Sequence, residues 1–226
     1  MSRKEDLART TAEAFRAEHH LDARPLGDLF ELLHATVGCD VIALDASEAE
    51  HGLSMRDPDS GRIVIAVATT RHPMRQRSSL AHELGHLLAV GDLTSNAPTR
   101  PGPRPAAEIR ADAFARHLLL PIAALQAKFG RGEAKTVSVD EAGFAAVVQE
   151  FEVSPHLAAV QLKQSGLITP ALCRELSLWT TVQLATRYGW LTQYATLALA
   201  SAQPRSPQDL MRASRKGLQR WSFEDR

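Results

Sequence analysis

The spacing of apolar residues predicts a mostly helical chain with one short region of strands. Helical spacing through residues 3–37 predicts two helices, the second beginning at Pro25 and stopping before Gly38. Residues 39–44 are an apolar run of strand length, and two further runs flank the turn-rich residues 57–61 like the arms of a hairpin. Together these segments predict a small sheet of about three strands.

Two longer helices are predicted in the middle of the chain. The first begins at Ser78 or Ser79, either of which suits an N-cap, and runs to Val90. A proline-rich loop over residues 92–105 separates it from the second helix, which ends at Leu120. These two helices carry most of the candidate metal-ligating and catalytic residues.

The later part of the chain is expected to be helical throughout. Residues 140–165 predict two short helices that break at residues 153–155, and residues 170–226 predict further helices that end in a polar tail. The expected fold class is therefore α+β, with a small sheet beside long helices and a helical C-terminal region. The predicted domains are residues 1–130, 131–170 and 171–226.

Composition excludes several classes of protein. The chain has 226 residues, 44% of them apolar, and its 26 basic and 26 acidic residues leave no net charge. A disordered chain would be less apolar, and a general nucleic-acid-binding surface would be basic. Cys39 and Cys173 are too few for a disulfide scaffold and predict reduced thiols. The N-terminus lacks an apolar signal segment and residues 178–200 are too polar to span a bilayer, so we expect a cytoplasmic protein.

The sequence from residue 82 to residue 86 reads His-Glu-Leu-Gly-His and carries the strongest chemical signal. His82 and His86 are four residues apart, so on a helix both imidazoles point toward one metal ion. Glu83 lies about 100° further round such a helix, within reach of a water molecule at the metal. Gly85 costs a helix interior about 1 kcal/mol relative to Ala, which indicates close approach by another element.

A third ligand is predicted from the next helix. Glu108 and Asp112 are also four residues apart, so their carboxylates share one helix face. We expect Glu108 to complete a zinc site and Asp112 to accept a hydrogen bond from a ligating imidazole. The alternative is a solvated acidic face balanced by Arg110 and Arg116. His117 is a weaker candidate ligand, because it lies about 180° round the helix from Asp112.

These residues predict peptide hydrolysis with one zinc ion per chain. Zinc held by two imidazoles and a carboxylate keeps an open position, where it polarises a carbonyl group and lowers the pKa of water. Glu83 is then the group that takes the proton from the water and passes it to the leaving amine. The oxyanion-stabilising group stays open between His72, an arginine and the metal alone, since Tyr188 and Tyr194 are far downstream.

Three segments of the chain match motifs of one known family. Residues 71–88, which hold the two histidines, and residues 108–121 correspond to its two principal motifs. Residues 151–168 correspond to a small helix-turn-helix-like piece that follows them. On these segments the chain resembles the ImmA/IrrE family of bacterial zinc metallopeptidases, over about residues 25–168. The resemblance implies a zincin-like metallopeptidase core.

The resemblance also implies roles for residues already singled out. The zinc ligands of the family fall on His82, His86 and Glu108, and its catalytic glutamate falls on Glu83. Val90 stands where the family often has a further histidine. Members of the family typically cleave a helix-turn-helix repressor and so switch on stress or mobile-element genes. A repressor of this kind is therefore the protein substrate that the resemblance implies.

The charge of the helix-turn-helix-like segment argues against direct DNA binding. Residues 133–170 hold five acidic and two basic residues, a net charge of −3 that a phosphate backbone would repel. The tail over residues 205–226 has a net charge of +3, which we interpret as solvated surface. The leading hypothesis is a site-specific zinc endopeptidase. The alternatives are a non-catalytic metallopeptidase fold that docks a repressor or toxin–antitoxin partner, and a DNA-binding regulator.

Overall fold

The computed structural model describes residues 3–46, 52–57, 59, 61–88, 105–130 and 139–208 of the chain. Within these residues the chain forms ten helices and a three-stranded sheet, which confirms the predicted α+β class. Most of the predicted proline-rich loop and most of the polar tail lie outside the described residues. The helices are α1 (Arg3–Glu18), α2 (Leu29–Val37), α3 (Pro73–Leu88), α4 (Ala106–Leu119), α5 (Ile122–Phe129), α6 (Glu141–Phe151), α7 (Pro155–Gln164), α8 (Pro170–Leu176), α9 (Thr181–Arg187) and α10 (Leu191–Ser201).

The sheet has the strand order β1-β3-β2, where β1 is Asp40–Leu44, β2 is Gly52–Arg56 and β3 is Ile63–Ala68. β2 and β3 pair antiparallel, which confirms the predicted hairpin, and β1 pairs parallel with β3. On one face of the sheet the side chains are buried, including Ile65 and Val67 on the central strand. That face lies against α3, which contacts both β2 and β3.

α3 begins at Pro73, so the predicted start at Ser78 or Ser79 is wrong. The carbonyl oxygen of His72 accepts a hydrogen bond from the amide of Gln76, and the first turn therefore forms ahead of the serines. Proline suits the first helical position, because its ring fixes φ and its missing N–H needs no partner there. This preference outweighs the capping preference of serine and lengthens the helix that carries the two histidines.

One other helix begins at a different residue from the prediction, and one helix is not predicted at all. α2 begins at Leu29 instead of Pro25, because the carboxylate of Asp28 accepts a hydrogen bond from the amide of Phe30 and caps the helix there. The sequence pattern does not predict α5, which starts directly after Pro121. Proline ends the preceding helix, but its fixed φ also suits the entry to a new one. The two short helices expected after residue 140 are confirmed as α6 and α7.

The C-terminal region returns to the sheet. α10 packs against α3, and beyond it the backbone of Arg205 exchanges two hydrogen bonds of 3.0 Å with Ala43 of β1. The amide of Val41 donates to Oε1 of the buried Gln208 over 3.0 Å. Residues 205–208 therefore pair with the outer edge of β1. The division of the chain into three domains stays a prediction.

Two smaller features agree with the sequence. Cys39 and Cys173 are buried, unbridged thiols. Burial raises the pKa of Cys39 to about 11, so this thiol stays protonated near neutral pH. Within the described residues, no helix combines the length and the apolar content that a bilayer-spanning segment needs.

Candidate metal centre

Three side chains of the metal-ligand type meet between α3 and α4. His82 and His86 lie one turn apart on α3, and their Nε2 atoms are 3.0 Å from each other. The carboxylate of Glu108, in the first turn of α4, lies 3.3 Å from Nε2 of His82 and 3.1 Å from Nε2 of His86. In the described part of the chain, no other group of three such residues is close enough to hold a metal ion.

The donor set and its spacing fit zinc. Zinc in proteins binds imidazole nitrogen and carboxylate oxygen at about 2.0–2.2 Å in tetrahedral geometry, so neighbouring ligand atoms lie about 3.4 Å apart. The two Nε2 atoms are 3.0 Å apart, Nε2 of His82 lies 3.3 Å from Oε2 of Glu108, and Nε2 of His86 lies 3.1 Å from Oε1 of the same carboxylate. Each of these distances is close to that edge length. Two nitrogen ligands and one carboxylate also leave a fourth position open, as catalytic zinc sites require.

Asp112 orients the ring of His82. Its Oδ1 atom lies 2.8 Å from Nδ1 of His82, so in the neutral ring Nδ1 donates its proton to Asp112 and the lone pair of Nε2 faces Glu108 and His86. Burial of the ring lowers the pKa of His82, but the hydrogen bond and charge of Asp112, with the nearby glutamates, outweigh burial and raise it overall. Both acids of α4 thus face histidines, and a purely solvated acidic face does not describe this helix.

Glu83 is buried beside the cluster, and one of its oxygens has no partner. The residue is 3% exposed, and Oε2 makes no hydrogen bond within the described residues. Its charge contributes to the raised pKa of His82. An unpaired, buried carboxylate oxygen is costly in a folded protein. With Glu108 and Asp112, it gives three carboxylates around two imidazoles, an excess of negative charge that a divalent cation would balance.

The side chain of Glu83 also lies against the backbone of Gly52, the first residue of β2. A Cβ atom on Gly52 would lie 2.9 Å from both Cγ and Oε1 of Glu83. Cβ atoms in folded proteins essentially never approach another atom this closely. None of the sequence motifs pointed to Gly52. The one available signal is a glycine inside a predicted strand, which often marks the close approach of another group.

Gly85 sets the distance between the two helices of the cluster. A Cβ atom on Gly85 would lie 3.0 Å from the ring of Phe114 and 3.1 Å from Cα of Ala111, both on α4. The close approach predicted from a glycine inside a helix is therefore confirmed. It brings α4 near enough for the carboxylate of Glu108 to reach the histidines.

The remaining candidates from the sequence have partners elsewhere. His117 is buried, with Nε2 2.9 Å from Oε1 of Glu5 and Nδ1 2.9 Å from Nε2 of Gln161. Both ring nitrogens of His117 are therefore used outside the cluster. The hydroxyl groups of Tyr188 and Tyr194 likewise donate to oxygen atoms outside it. The oxyanion-stabilising group stays open.

Comparison of the sequence with known protein families identifies the family of this chain. Residues 35–163 match the peptidase M78 family, described as the IrrE N-terminal-like domain, and the match covers more than half of the chain. The chain belongs to this family. The ImmA/IrrE resemblance inferred from the motifs is thereby confirmed, and membership supports a metallopeptidase-type function of the zinc class. A search of curated proteins gave no match.

Proposed function

We propose that this protein is a zinc-dependent, site-specific endopeptidase that cleaves a regulatory protein in the cytoplasm. The observation that carries the proposal is the meeting of His82, His86 and Glu108 between α3 and α4, with the buried carboxylate of Glu83 beside them. The three ligand-type residues hold one zinc ion per chain in this proposal. Asp112 keeps the ring of His82 in the orientation and tautomer that binding needs.

Glu83 is the residue that moves the proton in this proposal. Zinc, when bound, supplies Lewis acidity toward a peptide carbonyl and a water molecule. The unpaired Oε2 of Glu83 is available to accept a proton from that water and later to deliver it to the leaving amine. Because Glu83 is only 3% exposed, bulk water competes little for this oxygen.

The substrate that we propose is a helix-turn-helix repressor. The support is the likeness to the ImmA/IrrE family, whose members typically cleave such repressors. Direct DNA binding is not part of the proposal. The second helix of the helix-turn-helix-like pair, α7, packs against α4, α5, α6 and α8, and its buried Gln161 donates to the carbonyl oxygen of Leu120. A recognition helix needs an open face and a basic surface, whereas this segment is acidic.

The substitution Glu83→Gln tests the proposal. It keeps the size of the side chain and removes the proton acceptor, so we expect wild-type zinc content and at least about a 10²-fold loss of cleavage. The probe is a panel of purified helix-turn-helix repressors from the source organism, each incubated with the protein and analysed by gel electrophoresis and mass spectrometry. Glu175→Gln, the same substitution at an exposed position of α8, is the matched control and keeps wild-type turnover.

Two outcomes would contradict the proposal. Equal turnover in Glu83→Gln and wild type would show that Glu83 does not move the proton. A stable complex with a repressor that wild-type protein leaves intact over hours would favour the non-catalytic docking alternative.

A further inference from the structure

We propose that Gly52 is a positioning residue for Glu83, so that the backbone of β2 sets where the carboxylate lies. The inference rests on the proposed role of Glu83 as proton acceptor. It concerns the neighbouring strand and not the metal ligands themselves. The observation behind it is that the side chain of Glu83 occupies the space where any residue other than glycine would place its Cβ atom.

The contact involves three side-chain atoms of Glu83, namely Cγ, Cδ and Oε1. A Cβ atom on Gly52 would lie 2.9 Å from Cγ, 2.9 Å from Oε1 and 3.2 Å from Cδ of Glu83. Ordinary van der Waals contact begins at 3.4 Å. A methyl group at residue 52 would therefore displace the carboxylate by about 0.5 Å, the difference between 3.4 and 2.9 Å.

The glutamate is the partner that yields to such a methyl group. Gly52 pairs with Val67, which is 2% exposed on the central strand, so a retreat of β2 would break the ladder at the core. The backbone of α3 is equally fixed, since Leu80 and Leu84 are 1% and 0% exposed. The side chain of Glu83 can rotate about its own bonds without moving either backbone, and its Oε2 has no hydrogen bond to hold it. The fold therefore survives the substitution, and the carboxylate moves.

A displaced carboxylate is a worse proton acceptor. Proton transfer needs heavy atoms at about 2.6–3.2 Å, and a misplacement of about 1 Å can cost 10²-fold in rate. A displacement of about half that size predicts a loss of roughly tenfold in the rate of a step in which Glu83 takes the proton. Zinc content is expected to stay near wild type, because the three atoms nearest the added methyl group all belong to Glu83 and none belongs to a ligand residue.

Acetohydroxamate is a probe that reports the position of Glu83 without a protein substrate. A hydroxamate binds zinc through its two oxygens and gives up a proton, for which a neighbouring carboxylate is the acceptor. Calorimetry on the zinc-loaded full chain compares the dissociation constants of wild type, Gly52→Ala, Glu83→Gln and Gly27→Ala. Gly27→Ala is the matched control, since a Cβ atom there would meet nothing within 4 Å.

We expect Gly52→Ala to weaken binding of acetohydroxamate by roughly tenfold, the lower end of what a hydrogen bond to a charged group contributes, with one zinc per chain retained and Gly27→Ala unchanged. In a Glu83→Ala background, which lacks all three atoms that crowd residue 52, adding Gly52→Ala is expected to change the affinity little. Wild-type affinity in Gly52→Ala, or an equal loss in the Glu83→Ala background, would overturn the inference. Wild-type affinity in both Gly52→Ala and Glu83→Gln would instead overturn the role of Glu83 on which it rests.

Discussion

Gly85 is where α3 and α4 come closest, so one added methyl group there tests how the metal cluster is assembled. A Cβ atom at this position would lie 3.0 Å from Cδ1 of Phe114, 3.1 Å from Cα of Ala111 and 3.3 Å from its carbonyl oxygen. Ordinary contact begins at 3.4 Å, so α4 or the phenylalanine ring must retreat by about 0.4 Å. Phe114 and Ala111 are 3% and 2% exposed, and neither can retreat without disturbing the core.

Two opposing effects set the free energy of unfolding of Gly85→Ala. Alanine favours the helix over glycine by about 1 kcal/mol. Overpacking a close contact costs about 1–3 kcal/mol. We therefore expect the free energy of unfolding of the zinc-free protein to fall by about 1 kcal/mol. A retreat of α4 also carries Glu108 away from the histidines. We therefore expect the variant to bind zinc about tenfold more weakly, which corresponds to a loss of about 1.4 kcal/mol in binding free energy.

Urea unfolding of the zinc-free protein and competition with a chromophoric zinc chelator measure these two quantities. Gly27→Ala is the control, because its Cβ atom would meet nothing within 4 Å and its stability is expected to stay level or rise slightly. A Gly85→Ala variant about 1 kcal/mol more stable than wild type, with unchanged affinity for zinc, would contradict this prediction. Helix propensity alone would then decide the outcome.

Two further predictions concern zinc binding and acid stability. Asp112→Ala removes the acceptor that orients His82, so zinc affinity is expected to fall about 10- to 100-fold in the chelator assay, whereas wild-type affinity would show that the ring is held in another way. The hydrogen bond from His117, with a contribution from Arg116 and against the effect of burial, holds the pKa of Glu5 down from 4.5 to about 2. This carboxylate therefore stabilises the fold above pH 4.5, and the contribution, at most about 3 kcal/mol, is lost as the pH falls toward 2. Urea unfolding over this range is expected to show a steeper loss in wild type than in Glu5→Gln, and equal slopes would contradict the lowered pKa.

The cluster of candidate ligands was open to prediction because each half of it is local in sequence. The spacing of His82 and His86 follows from helix geometry, and so does the spacing of Glu108 and Asp112. What joins the two halves is the packing of α3 on α4, which is a tertiary contact. Gly85 is the one residue whose type carries a sign of that contact in the sequence.

Features that depend on distant partners were missed. Gly52 contacts Glu83 only because β2 lies against α3, and no periodic pattern encodes that contact. The pairing of Arg205 with Ala43 joins two parts of the chain that are distant in sequence. It consists of a single bridge, and a segment of that length leaves no strand pattern in the sequence. The start of α3 was misplaced for a different reason, since proline and serine both favour helix starts and local preference alone does not rank them.

In the proposed function, two residues of α3 and one of α4 hold the zinc ion. The measurement that tests it most directly is the metal content per chain of wild type, Glu108→Ala and the exposed control Glu175→Ala, after purification with added zinc. We expect one zinc per chain in wild type and in Glu175→Ala, and a clear loss in Glu108→Ala. Full zinc content in Glu108→Ala, or no zinc in wild type, would contradict it.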